Sequence, residues 1–305
     1  MMWFFIALIG PLLYAITNYI DKILLEKYFK EGGVGTLLIF SGLLSALALP
    51  ILFLIDPTPF QVSPIHILTL AGVGVLNVLV LFFYLKALDT EEVSVTIIFY
   101  QLVPVFAYGL GYIILGETLT QSQLIAMAVI ILGTSIVSFE VEADNNFRFR
   151  KKTVFYMLAA SLCWALGSVL FKFVALEEAV VRSLFWEHLM LTIIGAGLFF
   201  FVSSYRKHFM NAIKKNSGAI LLLNVANESI YMVGNIAFSF AYLLAPLALV
   251  LLANSYQAVF VLIIGVVLTL FVPTIIKEKT YIKNLGQKGL AIAVTAIGTY
   301  LLFFS

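Results

Sequence analysis

Apolar runs of about 20 residues follow one another along the 305-residue chain, each closed by a short polar or Gly/Pro segment. That length matches a helix crossing the hydrocarbon core of a bilayer. The pattern predicts spans over 3–20, 34–55, 65–88, 93–115, 122–139, 154–176, 181–203, 218–244, 247–272 and 284–304. The closing segments include Gly32-Gly33, Asp56-Pro57-Thr58-Pro59, Gly116-Glu117-Thr118 and Ala245-Pro246, all turn-forming chemistry. Gly10-Pro11 should interrupt the first span and Pro104 should kink the fourth. Thr90 with Glu91 and Glu92 reads as a helix start, carboxylates at the positive end of the dipole. A basic loop is expected from about 204 to Ser217. The first run has neither a basic leader nor a small-residue cleavage site, so it is expected to stay as a span.

Residues 140–152 are the most polar stretch and divide the chain into two similar halves. Leu12-Leu13-Tyr14-Ala15 through Lys22 aligns with Leu162-Cys163-Trp164-Ala165 through Lys172. Asn77, Tyr84 and Ala87 align with Asn235, Tyr242 and Ala245, and Tyr100-Gln101 aligns with Tyr256-Gln257. An odd number of spans per half inserts the second half from the opposite face. The predicted fold is therefore an all-α polytopic membrane protein: ten transmembrane helices as two five-helix inverted-topology repeats. The first repeat is 1–139, the polar linker 140–152 and the second repeat 153–305. Such repeats place a site near the midplane where the halves meet.

Composition agrees and narrows the field. Charged residues make up 11% of the chain and mean hydropathy is +1.08, values that a soluble fold of this length does not reach. The net charge of +2 and the lack of a basic segment interleaved with aromatics leave no case for nucleic acid. A single cysteine, Cys163, and three unpaired histidines, His66, His188 and His208, give no metal-ligand spacing, and no cofactor is expected. Of the 18 Lys and Arg, all but Lys172 and Arg182 fall beside the loops after odd-numbered spans. Positive charge marks the cytoplasmic side, so both termini are expected outside a cell (inner) membrane. Lys86 and Lys172, near span ends, are expected to snorkel to the interface.

The candidate chemistry centres on Glu228. It lies well inside its span, ten residues from Gly218 and sixteen from Leu244, where an ionisable group costs about 2.5–3.5 kcal/mol and a function is the default reading. At helical spacing Asn224, Glu228, Tyr231 and Asn235 share a face, with Asn227 beside them. Glu228 can carry a proton, balance a cationic substrate, or do both, the alternative being a structural carboxylate. The asparagines can bind an amide, amine or hydroxyl, or serve as helix-to-helix glue. Tyr231 and Tyr256 offer faces to a cation, or simply pack. Asn77 as counterpart of Asn235, Gln101 and Gln257 near the pseudo-twofold axis, and Asn18 and Asn254 complete the polar lining. Glu187-His188 suggests a proton relay, although Glu187 can instead pair with Arg182 at the external mouth.

The segment Pro104-Val-Phe106 through Gly116-Glu117-Thr118-Leu119, then Ile131-Leu132-Gly133, resembles the end-of-repeat pattern of the drug/metabolite transporter superfamily, in its EamA-type ten-span members. Lys277-Glu278-Lys279-Thr280 with Leu285-Gly286 and Ile297-Gly298 resembles a degenerate second copy, lacking the proline before Phe260. Tyr14-Ala15 and Trp164-Ala165 resemble the aromatic-plus-small pair of the family's first helix, which implies a place for Tyr14 and Trp164 at the site. The family usually keeps both termini in the cytoplasm, the reverse of the charge count here.

The resemblance implies a secondary transporter working by alternating access on a small-molecule substrate, with membrane lipids around it, as a monomer or homodimer. The polar face favours a small polar or amine-bearing metabolite, with proton coupling through Glu228. A lipid or lipid-linked headgroup carrier, with an opening near Phe199-Phe200-Phe201, is the alternative. A nucleotide-sugar or phosphosugar carrier lacks the deep cations it would need, and a non-transporting membrane scaffold lacks loops to dock a partner. No catalytic constellation is apparent, so no enzyme is expected.

Overall fold

The structure, a computed structural model, describes residues 2–29, 33–91, 93–138, 151–271 and 285–304. Among the described residues all regular structure is helical. Eight helices are long and apolar enough to cross a membrane. They are α1 (Met2–Tyr28), α2 (Gly33–Ile55), α3 (Pro64–Leu88), α4 (Thr96–Leu115), α6 (Lys151–Glu177), α7 (Val180–Phe201), α8 (Ser203–Tyr242, of which Gly218–Tyr242 is the spanning part) and α9 (Leu247–Leu268). Two shorter apolar helices close the halves, within α5 (Gln121–Ser138) and α10 (Leu285–Phe304). The chain is thus a polytopic helical membrane protein. Most of the polar linker 140–152 and the motif Lys277–Thr280 lie outside the described residues.

The packing keeps its form when the halves are exchanged. α1 lies against α8 and α3 against α6; α1 touches α9 and α4 touches α6; α2 meets α8 and α3 meets α7. α2–α7, α4–α9 and α5–α10 each pair a helix with its own counterpart. Side chains follow the same rule: the Tyr84 hydroxyl donates to Asn18 Oδ1 at 2.9 Å, and Tyr242 and Ser168 share a hydroxyl bond of 3.2 Å at the aligned positions. Lys22 donates to the Leu88 carbonyl at 2.9 Å, and Lys172 to the Ala245 carbonyl at 2.7 Å. Each lysine meets the carbonyl end of the third helix in its own half, where the dipole is negative. At the α2–α7 crossing Gly42 and Gly195 put backbone on backbone. A Cβ on Gly42 would lie 2.6 Å from Gly195 Cα, a close approach that only glycine permits.

Several expectations are corrected. Gly10-Pro11 does not interrupt α1, which continues past Ile20 to Ile23 and ends in a π-turn, Leu24–Tyr28. The charged stretch from Asp21 is therefore partly inside the bundle. No loop separates Ser203 from Ser217: this basic segment is the first part of the 40-residue α8. Phe209 and Ala212 are buried there while Arg206, Lys207 and Lys214 face out, which is an amphipathic helical pattern. At about 60 Å, α8 is twice the hydrocarbon thickness, so this part runs beyond the spanning section.

In α4 the helix tightens to a 3₁₀ turn over Phe99–Leu102, and Pro104 merely starts the following α-helical stretch. α9 has the same turn over Ala253–Tyr256 without any proline. The break therefore belongs to the packing of the two halves. Its loosened carbonyls are used across the interface: Phe99 accepts from Ser161 at 2.9 Å and Ser255 from Gln101 at 3.3 Å.

Candidate functional site

A cavity of about 140 Å³ lies between the halves, walled by residues of α1–α4 and α6–α9. Three carboxylates line it: Asp21, Glu187 and Glu228, each at most 7% exposed. Among the described residues no Lys, Arg or His lines it.

Glu228 is held by α2. Ser41 donates to its Oε2 at 2.7 Å and Ser45 to its Oε1 at 3.4 Å, two hydroxyls one helical turn apart on a single face. On the next residue, Asn227 donates to Asp21 Oδ1 at 2.7 Å, which brings the Asp21 and Glu228 positions together at one end. Glu187 sits at the other. Asn77 donates to its Oε1 at 2.7 Å and Asn235 to the same oxygen at 3.3 Å. These two asparagines are repeat counterparts, so Glu187 is grasped from both halves at once.

Between the acids runs an aromatic wall. Tyr14 stacks on Tyr231 at 5.3 Å and meets Trp164 edge-on at 6.1 Å, while Tyr100 meets Trp164 at 5.0 Å. Among the described residues Asn18 Nδ2 and Gln257 Oε1, on lining residues at most 5% exposed, have no hydrogen-bond partner, and neither does Asn227 Oδ1. Unsatisfied polar atoms are costly in a buried setting, and all three belong to residues that line the cavity.

The cavity gathers Glu228, Asn224, Asn227, Tyr231, Asn235, Asn77, Gln257, Asn18 and Glu187 from the polar reading, with Tyr14 and Trp164 from the resemblance. Asn224 turns its amide onto the Ile220 carbonyl of its own helix at 2.7 Å. Four predicted residues lie elsewhere. Gln101 is tied to Thr134 and Ser255, and the Tyr256 hydroxyl bonds to Thr299. Asn254 is buried, its side chain without a partner among the described residues. His188 is fully buried, with neither ring nitrogen bonded among the described residues, and lies away from the cavity because neighbours on a helix point about 100° apart. No Glu187–His188 relay is formed, and Arg182 pairs with Asp56 at 2.8 Å, leaving Glu187 to the asparagines.

Asp21, Ser41 and Ser45 were not anticipated. The charges following Asp21 disguised it as loop, although its spacing of seven from Tyr14 puts it on the same helical face.

On the face formed by the loops after even-numbered spans, an ion pair and histidine–carboxylate contacts join the two halves. Asp56 pairs with Arg182, and the His66 ring meets Glu178 at 2.9 Å and Glu177 at 3.2 Å. The hydroxyl and backbone N–H of Thr58, with Arg182, hold the Asp56 carboxyl down at about 2. The hydrogen bond from His66 keeps Glu178 below its ordinary range. Lys172 is only 4% exposed and pairs with Glu117 at 2.5 Å, so it does not snorkel. Glu117 follows Gly116, whose left-handed φ of +67° turns the chain so that Oε2 also accepts from the Leu247 N–H at 2.7 Å. The Gly-Glu turn is thus a clasp on the second half.

Residues 1–139 match the model of the EamA-like transporter family. That stretch is similar to the EamA-like transporters of the drug/metabolite transporter superfamily. No curated protein matches the chain in sequence. Among solved structures, 28 chains match. One, described as "Crystal structure of protein", is 15% identical with a TM-score of 0.62, covering 99% of this chain and 94% of its own. At that identity the likeness concerns the fold.

Proposed function

We propose that this EamA-like transporter moves a small amine-bearing cation by alternating access, with the cavity carboxylates as its counter-charge and Glu228 exchanging a proton. The observation that supports this reading is three buried acids around one cavity with no cation among its described lining. An acid near the centre of a spanning helix, as Glu228 is, costs about 2.5–3.5 kcal/mol on insertion scales, a large share of the ~5–15 kcal/mol that holds a typical domain folded. A packing role does not account for that expense. The same lining disfavours nucleotide sugars and phosphosugars, whose phosphates need Arg or Lys. Phe199, Phe200 and Phe201 are not part of the cavity wall, so nothing there favours an acyl chain.

The test is uptake of radiolabelled amines into proteoliposomes under an imposed pH gradient. Glu228→Gln is expected to abolish gradient-driven uptake while the variant remains folded. Gradient-driven uptake at the wild-type rate would remove Glu228 from the mechanism.

A further inference from the structure

We infer that the occupant is a dication, an α,ω-diamine whose two ammonium groups are separated by a short apolar spacer. This rests on the amine reading above and specifies its substrate. The carboxylates form two separate poles. Asp21 and Glu228 make one, because Asn227 bonds Asp21 and adjoins Glu228 in sequence. Glu187 makes the other, between Asn77 and Asn235.

Two rulers give the spacing. Glu228 and Asn235 are seven residues apart on α8, about 10 Å along the axis. Independently, Ser41 holds Glu228 and adjoins Gly42, which touches Gly195; Glu187 lies eight residues from Gly195 on α7, about 12 Å. An ammonium–carboxylate bond of about 2.8 Å at each end leaves about 5 Å between the nitrogens, the reach of roughly three to five methylenes.

The middle of the cavity suits such a spacer. Tyr231, between Glu228 and Asn235 on α8, stacks on Tyr14, and Trp164 closes the wall. Aromatic faces accept methylenes and attract flanking ammonium groups. Asn227 and Gln257, both in the lining, carry side-chain oxygens without a partner among the described residues, neutral acceptors free to turn toward an ammonium beyond the carboxylates. A monoamine fills one pole and leaves the other without a counter-charge.

The experiment is calorimetric titration of the full-length protein in nanodiscs at one ionic strength. The probes are 1,4-diaminobutane, 1-aminobutane and 1,8-diaminooctane. Diaminobutane is expected to bind about tenfold or more tighter than aminobutane. Diaminooctane, too long for the gap, should lose that advantage. Glu187→Gln should weaken diaminobutane about tenfold more than aminobutane. Equal affinities for diaminobutane and aminobutane in the wild type overturn the dication while leaving the amine reading standing. No binding of any of the three overturns both. The chain-length series on the wild type decides the matter even if Glu187→Gln fails to fold.

Discussion

Replacing Lys172 by Met removes the charge from a clasp that joins α4, α6 and the α8–α9 turn. The lysine gives up a 2.5 Å ion pair to Glu117 and a 2.7 Å bond to the Ala245 carbonyl. Breaking a buried pair from one side costs about 3–5 kcal/mol, because the remaining charge loses its partner. Glu117 keeps the Leu247 N–H, and its side chain is 20% exposed, so the low end applies: about 3 kcal/mol. That is about two decades in the folded-to-unfolded ratio. Glu117→Gln alone should cost a similar amount, since it strands the lysine. The double variant should cost about 2 kcal/mol less than the sum, because neither charge is then left unpaired. Reversible SDS unfolding in mixed micelles, followed by circular dichroism, measures all four proteins. Additivity within about 0.5 kcal/mol, or a Lys172→Met cost of that size, would refute a buried clasp and leave an ordinary surface pair.

The two asparagines at Glu187 should differ. Asn77→Ala loses a 2.7 Å bond to a carboxylate and should cost about 2 kcal/mol, whereas Asn235→Ala loses one of 3.3 Å and should cost less than half of that; equal losses in the same unfolding assay would contradict the geometry. Asp56 titrates at about 2 in the folded protein and at 3.8 without its neighbours, so its stabilising effect is complete above 3.8 and fades as pH falls toward 2. The wild type should therefore melt at a lower temperature at pH 3 than at pH 5, by a larger margin than Asp56→Asn; identical margins count against the Thr58–Arg182 setting. The basic residues of α8 should face the cytoplasm and the amino terminus the outside. In a Cys163→Ser background, an impermeant thiol reagent applied to whole cells should label Met2→Cys and spare Lys214→Cys, and the opposite pattern would invert the topology.

Hydropathy carried most of the fold, since a bilayer imposes one length on every span and the turns are punctuated by Gly and Pro. It misplaced segments where charge and helix coincide. Asp21 and the residues after it look like a loop, yet α1 continues because its inward face stays filled by Tyr14, Thr17, Asn18 and Asp21. Arg206 to Lys215 look like a loop for the same reason, while Phe209 and Ala212 hold the helix to the bundle. The polar face of α8 was legible because four residues on one helix share a periodicity. The seat of Glu187 was not, because Asn77 and Asn235 reach it from chain positions 110 and 48 residues away. Gln101, aligned with Gln257 by the repeat, shows the converse: repeat-equivalent residues need not share a task. Gln257 borders the cavity, and Gln101 binds Thr134 and a loosened carbonyl.

The unequal grip on Glu187 has a consequence for how the protein's conformation can be read. One carboxylate oxygen accepts from both halves, at 2.7 Å and 3.3 Å. Under the alternating access proposed above, a group gripped by both halves need not travel; the short bond changes hands instead. Glu187 then behaves as a compass needle, and its asymmetry registers which way the cavity faces. An infrared isotope label placed on Asn77 or Asn235 would see its amide band shift in opposite directions as the molecule turns over, without any probe being added to the transport path.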